Sequence, residues 1–328
     1  MIYKTVEDLS RSGGIASIDP QRPDDLYIVA ATFEPRGTAL SRALAVGYRA
    51  RTSFIYVNRD LDSTSAANII EAAVQQLRGD LQTRSDSSDI IEGSWADARK
   101  QVESLAEAFS RVDIDEPATI TIDITTFNRE ALIVCLALLR SRFPSARIRA
   151  LYVSPGSHGP WLSRGFRNVR SIVGFAGVQQ PSRPTLLMAL SGFEGDRTVK
   201  LIEEYEPSRV LLGLGDPPTL PNFLERNISE HKLVLSRTDV EEFRFPANNV
   251  AECDAVLERK ITSLLDSYNV VISPMSTKLS TVAAFQVASR HSDVQLAYSL
   301  PGEYNWSDYS QGTSHVFIEE LETPGASA

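Results

Sequence analysis

Cysteine is scarce in this 328-residue sequence, with Cys135 and Cys253 the only two. Both fall inside apolar helical patterns and read as core thiols, which excludes a disulfide framework. The four histidines (158, 231, 291 and 315) are scattered. No His-Glu-x-x-His or Cys-x-x-Cys spacing occurs, so no metal site is expected. The phosphate-loop pattern Gly-x-x-x-x-Gly-Lys-Ser/Thr is missing, as is the dinucleotide pattern Gly-x-Gly-x-x-Gly. Gly213-Leu214-Gly215 departs from the latter by running into Asp216-Pro217-Pro218. No cofactor is therefore expected. The most apolar stretch, Ala131 to Leu139, is far too short to span a bilayer. Met1-Ile2-Tyr3-Lys4 lacks the apolar core of a signal peptide. The expectation is a soluble, cytoplasmic chain that makes no membrane contact. Positive charge is also in deficit: the formal net charge is −9. That excludes broad nucleic-acid coating as the main task but leaves room for a local anion site.

What is present is repetition. Phe33-Glu34 follows the apolar run Leu26 to Ala31, and Phe193-Glu194 follows Leu186 to Leu190, 160 residues later. Thr38 and Thr198 keep that offset. Tyr152-Val-Ser-Pro155-Gly156 is echoed by Tyr298-Ser-Leu-Pro301-Gly302. A Trp and a Ser-x-Gly follow in both halves: Trp161 with Ser163-Arg-Gly165, and Trp306 with Ser310-Gln-Gly312. Matches in the same order at similar strand ends point to an internal duplication. The expected organisation is an N-terminal extension (1–25), a first copy (26–180) and a second copy (181–328), with 176–184 as the linker.

Strand and helix patterns alternate along both copies. In the first, strands are expected at 26–32, 53–57, 119–124, 147–153 and 168–173. Helices are expected at 38–48, 65–78, 95–110 and 128–142, with Ile69, Ala73 and Leu77 as one core face. The Ser/Asp-rich stretch 83–89 reads as a loop. In the second copy, strands are expected at 185–191, 209–214, 231–236, 269–273, 294–299 and 314–320. Its helices are expected at 196–205, 221–229, 249–267 and 278–290. The tail after Thr323 reads as frayed. The fold class is α/β: two tandem Rossmann-like, mostly parallel sheets related by duplication. The last strand of each copy follows a long loop without a helix, so it is expected to join antiparallel at an edge.

Ligands of open parallel sheets bind beyond the C-terminal strand ends. Four loops qualify: Thr32–Thr38, Asp123–Arg129, Gly192–Thr198 and Ser273–Lys278. Thr125, Thr126, Asn128, Ser276 and Thr277 suit helix caps or phosphate contacts. Arg129 and Lys278 favour the second use, since a cation in a first helical turn opposes the helix dipole. Glu34, Asp123 and Glu194 are the candidate acid/base groups. Glu34 and Glu194 could instead pair with nearby bases, and Asp123 could anchor its own loop. Between Arg129 and Arg170 stand eight arginines and one acid, Glu130. Arg164, Arg167 and Arg170 are the candidates for a polyanion or an acidic partner. Trp161, Trp306 and Tyr304 suit either base stacking or the core. Ser163, His158 and Asp123 would suit a hydrolytic triad only if three separate loops met.

The Ser273-Pro-Met-Ser276-Thr277-Lys278 loop resembles the ligand loop of CRISPR-associated Rossmann-fold (CARF) sensors. Thr125-Thr126-Phe127-Asn128-Arg129 is similar more loosely. The resemblance covers these two loops and the general architecture. It implies a cyclic oligoadenylate ligand bound across a two-fold axis between Rossmann-like units, faced by Thr125, Thr126, Arg129, Ser276, Thr277 and Lys278. No nuclease or helix-turn-helix segment is evident, so the effector would be another protein chain. Three readings stay open: a non-catalytic sensor of a nucleotide or phosphate ligand in prokaryotic defence, an enzyme acting on a nucleotide or phosphorylated substrate, and a scaffold that docks an acidic partner through the arginines.

Overall fold

The computed structural model describes residues 1–61, 64–220 and 222–321. In chain order its strands are β1 (Ile2–Tyr3), β2 (Asp24–Ala31), β3 (Ala50–Asn58), β4 (Ser85–Gly93), β5 (Thr119–Asp123), β6 (Arg147–His158), β7 (Ser163–Arg164), β8 (Asn168–Ser171), β9 (Thr185–Leu190), β10 (Arg209–Gly215), β11 (Val240–Phe245), β12 (Asn269–Pro274), β13 (Gln295–Leu300), β14 (Glu303–Tyr304) and β15 (Ser310–Leu321). The helices are α1 (Val6–Arg11), α2 (Ala39–Arg42), α3 (Thr64–Gln82), α4 (Ala98–Ser110), α5 (Arg129–Arg142), α6 (Gly195–Tyr205), α7 (Phe223–Glu230), α8 (Lys232–Leu235), α9 (Val250–Thr262) and α10 (Lys278–Arg290).

Two compact units result. Unit one joins Met1–His158 to the segment from Trp306 onward, and unit two is Gly159–Asn305. The sheet of unit one has the order β1-β15-β6-β5-β2-β3-β4, and that of unit two β11-β10-β9-β12-β13-β8. Strands β2 to β6 pair in parallel, as do β9 to β13. Counted from the first parallel strand, both run third, second, first, fourth, fifth. An antiparallel strand then closes the edge next to the fifth: β15 on β6, and β8 on β13. This is a Rossmann-like α/β architecture used twice.

The edge strands are exchanged. The strand following β6 in sequence pairs in unit two, and the strand following β13 returns to unit one. The compact units therefore differ from the contiguous copies expected with a border at 180/181. The registers repeat as well. Ser310 lies opposite His158 and Phe317 opposite Tyr152, as Ser163 lies opposite Tyr304 and Arg170 opposite Tyr298. Gly312 and Gly165 follow those serines with φ of +61° and +59°, a left-handed turn that glycine adopts without a Cβ clash.

The buried helices follow from composition. In α5 the run Ala131 to Leu136 is buried throughout, and in α10 the run Leu279 to Ala288. Apart from Gln286, both runs are apolar or small-residue on every face, which only a helix packed all round tolerates. Asn128 caps α5 by accepting the Ala131 N–H at 2.7 Å, and Thr277 caps α10 through Ser280 at 3.2 Å. Cys135 and Cys253 are buried, free thiols. Among the described residues no helix is long and apolar enough to cross a membrane.

Several expectations need correction. Residues 1–25 are built into unit one: β1 pairs with β15, Thr5 caps α1, and Leu9 and Ile15 are buried. The 83–89 loop belongs to β4, an edge strand whose Asp86, Ser87, Ser88 and Asp89 are exposed. Polar residues on an edge guard against pairing with other chains, which hid the strand. The core face of α3 is Ile70, Val74, Leu77 and Leu81, one residue round from the expected face, and Ile69 is exposed. The helix expected at 38–48 shrinks to a 3-10 turn (Pro35–Thr38) and α2. Residues 231–236 hold α8 instead of a strand, and β11 lies just after, with Phe243 and Phe245 buried in alternation. A short apolar run such as Leu233-Val-Leu fits either period. Thr323 and the tail lie outside the described residues.

At the N-terminal end of β2 the fully buried Asp24 ties four segments together. It accepts from Ile18 N–H at 2.7 Å, Thr121 Oγ1 at 2.6 Å, Tyr48 OH at 3.0 Å and Arg149 Nη2 at 3.4 Å. Removing the acceptor strands these donors in the interior. Asp24→Ala is expected to destabilise the protein by about 3 kcal/mol in urea unfolding. A loss below about 0.5 kcal/mol would show that the network is dispensable.

Candidate functional site

The strand order locates the switch point of each sheet, where neighbouring connections leave in opposite directions and a crevice opens. In unit one it lies between β2 and β5, and in unit two between β9 and β12. The loops there are the four singled out from the sequence.

In unit one most of the candidate side chains hold the loops together. Asp123 ends β5 and is buried, with Oδ1 accepting the Thr125 N–H at 3.0 Å and Oδ2 lacking a hydrogen-bond partner among the described residues. Burial pushes its pKa up to about 7, against the opposing pull of Thr125 and Arg36. Thr125 Oγ1 accepts the Val153 N–H at 3.1 Å, and Thr126 Oγ1 donates to the Ala30 carbonyl at 2.8 Å. Asn128 is the cap already described. Phe127 stacks on Tyr56 with centroids 5.3 Å apart. Arg129 opens α5 half-buried. Thus Thr125, Thr126 and Asn128 act in the frame of the loop, and Arg129 stands at its mouth.

Glu34 pairs with Arg36 in the interior. Arg36 Nε donates to Glu34 Oε2 at 3.1 Å, Nη2 also contacts that oxygen, and Nη1 donates to the Val153 carbonyl at 2.7 Å. Ser310 Oγ adds a bond to the same carboxylate oxygen at 2.9 Å. Burial works against the charge of Arg36, but Glu34 beside it more than compensates and holds the guanidinium protonated. Tyr309 packs edge-on against Phe33 at 5.7 Å.

Unit two repeats this brace. Glu194 Oε1 accepts from Ser163 Oγ at 2.8 Å and lies 3.9 Å from Arg197, whose Nη2 donates to the Ser299 carbonyl. Phe193, Glu194, Ser163 and Ser299 occupy the places of Phe33, Glu34, Ser310 and Val153. The sequence reading aligned the glutamates and serines but missed that each serine comes from the exchanged segment. Of the two uses open to the glutamates, pairing with nearby bases is the one found, and Arg36 and Arg197 are those bases. Their signal was the pairing of a Glu with an Arg two or three residues on. Thr277 caps α10 and donates to the Ala247 carbonyl at 2.8 Å, Ser276 is buried, and Lys278 is half-buried at the start of α10. His231 is buried: Nδ1 donates to the Asn227 carbonyl at 3.0 Å and Nε2 meets Thr198 Oγ1 at 2.8 Å. Burial holds its pKa below the usual histidine value.

The two loops of the unit-two switch point approach closely. A Cβ on Gly192 would fall 2.4 Å from the Met275 carbonyl oxygen, and one on Gly195 2.2 Å from that of Glu230. Beside them is a cavity of about 200 Å³, between the start of α6, the end of α7 and the segment around β7.

The arginine-rich window does not form a single face. Arg140 donates to the Ala146 and Leu321 carbonyls, and Arg149 is buried against Asp24 and Thr121. Arg164, Arg167 and Arg170 belong to unit two. Arg164 lies over the Trp161 ring at 4.1 Å, and Arg170 sits in β8, half-buried. Arg164 and Arg167 are exposed. Asp123 and His158 belong to unit one and Ser163 to unit two, where Glu194 takes its hydroxyl.

Two outcomes follow from these loops. The folded protein keeps the Asp123 proton up to about pH 7, whereas the ordinary value is 3.8. The native state therefore binds more protons in that window, and stability falls as pH rises through it. Asp123→Asn carries no such proton. Its melting temperature relative to the parent is expected to rise between pH 5 and pH 8, by the equivalent of about 2 kcal/mol. An unchanged difference would refute the buried-carboxyl assignment. Gly192→Ala is expected to cost about 1–3 kcal/mol in thermal melting, because the Met275 backbone has to move. A neutral substitution would show that the loop has slack.

No protein-family model matches the sequence, and no curated protein matches it. Among solved structures, a universal stress protein from Pseudomonas aeruginosa UCBPP-PA14 aligns at 16% identity and a TM-score of 0.28, over 85% of this chain and 94% of that one. A type III CRISPR defence DNA nuclease activated by cyclic oligoadenylate aligns at 8% identity and a TM-score of 0.53, over 89% of this chain and 68% of that one. In its fold, this chain is similar to that nuclease over most of its length.

Proposed function

We propose that the chain is a non-catalytic sensing subunit for a nucleotide or another phosphate-bearing ligand, acting with a separate protein effector in prokaryotic defence. The observation that carries this reading is the strand order. It puts the sequence-selected loops at the switch points of two like units, the place where open α/β sheets bind ligands. Arg129 and Lys278 stand in the first turns of α5 and α10, where the helix dipole favours an anion.

The acids favour sensing over catalysis. Glu34 is committed to Arg36 and Ser310, and Asp123 anchors its own loop. Glu194 is braced by Ser163. The solved nuclease of similar fold is activated by a cyclic oligoadenylate, which supports a nucleotide as the ligand class. The test is a thermal-shift screen of the purified protein against mono-, di- and cyclic oligonucleotides and inorganic phosphate. A ligand at a hundredfold its Kd adds about 2.7 kcal/mol and moves melting by several degrees. That shift is expected to disappear in Lys278→Ala or Arg129→Ala. A flat screen with folded protein would sink the sensor reading.

A further inference from the structure

The cavity of unit two has a composition that selects among ligands. At about 200 Å³ it falls below the roughly 300–1,000 Å³ of pockets that enclose a drug-sized molecule. It suits one flat ring system, with the rest of the ligand at the mouth. Trp161 and Phe193 supply aromatic wall. Arg226 lies over Phe193 at 4.2 Å and is fixed by the Gly159 and Pro160 carbonyls at 2.9 and 2.8 Å. Arg164 lies over Trp161 and is exposed at the rim.

Glu194 also lines this cavity. The duplicated brace shows what is special about it. In unit one Arg36 grips Glu34 through two nitrogens, while in unit two Arg197 stands 3.9 Å from Glu194. A carboxylate offers about four acceptor directions and no donor. Its complement is a ring edge with adjacent donors. Guanine presents N1–H beside its amino group, whereas adenine presents an acceptor nitrogen beside its amino group. Arg197 and Arg226 line the cavity beside Asp196 and Glu230, but both guanidiniums are held by backbone carbonyls. A phosphate at the rim would meet Arg164, the exposed arginine of the lining.

We propose that this cavity is a guanine-nucleotide pocket, with the base edge on Glu194, the ring against Trp161 and Phe193, and the phosphate on Arg164. The proposal rests on the nucleotide-sensing reading for its ligand class and adds a place in unit two that neither Arg129 nor Lys278 lines, so GMP binding there is expected to survive Lys278→Ala. The test is calorimetric titration of the full chain with GMP, guanosine and AMP. GMP is expected to bind at least about tenfold more tightly than AMP. Arg164→Ala is expected to weaken GMP about fivefold and guanosine by less than about twofold. Glu194→Gln, checked for folding by circular dichroism, is expected to erase the preference for GMP. AMP binding as tightly as GMP would overturn the guanine assignment while leaving the sensor reading in place. Equal losses of GMP and guanosine in Arg164→Ala would overturn the phosphate placement. Failure of all three probes would overturn the pocket. Only a blank in the wider nucleotide and phosphate screen would then remove the sensor reading as well.

Discussion

The ion pair of Glu34 and Arg36 lies out of water, and burying two charges is costly unless the geometry satisfies both. Here the guanidinium reaches the Val153 carbonyl on β6, and the carboxylate takes the Ser310 hydroxyl at the start of β15. One buried pair thus joins the first βα loop, the fifth parallel strand and the returning edge strand. Leaving either charge without the other would cost more than losing a surface contact. The same three parts meet at Glu194, Arg197 and Ser299, with Ser163 supplying the hydroxyl. The loops at the switch points owe their shape to these braces. The chemistry open to the glutamates is limited by them too.

The braces explain how a chain can exchange edge strands and keep two similar sheets. A strand arriving from elsewhere in the sequence needs a specific register, because a slip of one residue turns every side chain to the other face. Ser310 and Ser163 fix that register through their glutamates, opposite His158 and Tyr304. The left-handed glycines two residues later turn both strands in the same way. The duplication is thus most evident in matched hydrogen bonds, while the loop lengths around them differ.

Much of the framework was legible. Double-buried strands such as Thr119–Asp123 and helices such as Arg129–Arg142 advertise themselves by composition, and the Phe-Glu and Tyr-x-x-Pro-Gly repeats mark equivalent strand ends. The misses have physical causes. β4 hides because its solvent-facing side is Ser and Asp. The exchange hides because antiparallel pairing at an edge depends on where the chain travels, which no local period records. Thr125 and Thr126 looked like ligand groups because a hydroxyl that stitches a loop to a neighbouring strand has the same sequence signature as one that binds phosphate. Arg149 belongs to the arginine-rich window by composition alone, since three segments of unit one enclose it.

The returning strand β15 also sets an order of events during synthesis. Strand β6 emerges with an open edge, and its partner is not made until all of unit two has been synthesised. At translation rates of about 5–20 residues per second that is a wait on the order of ten seconds. In unit two the waiting strand is β8, which is made first and stays unpaired until β13 is synthesised. The half of the protein that is translated first is therefore the half that finishes folding last.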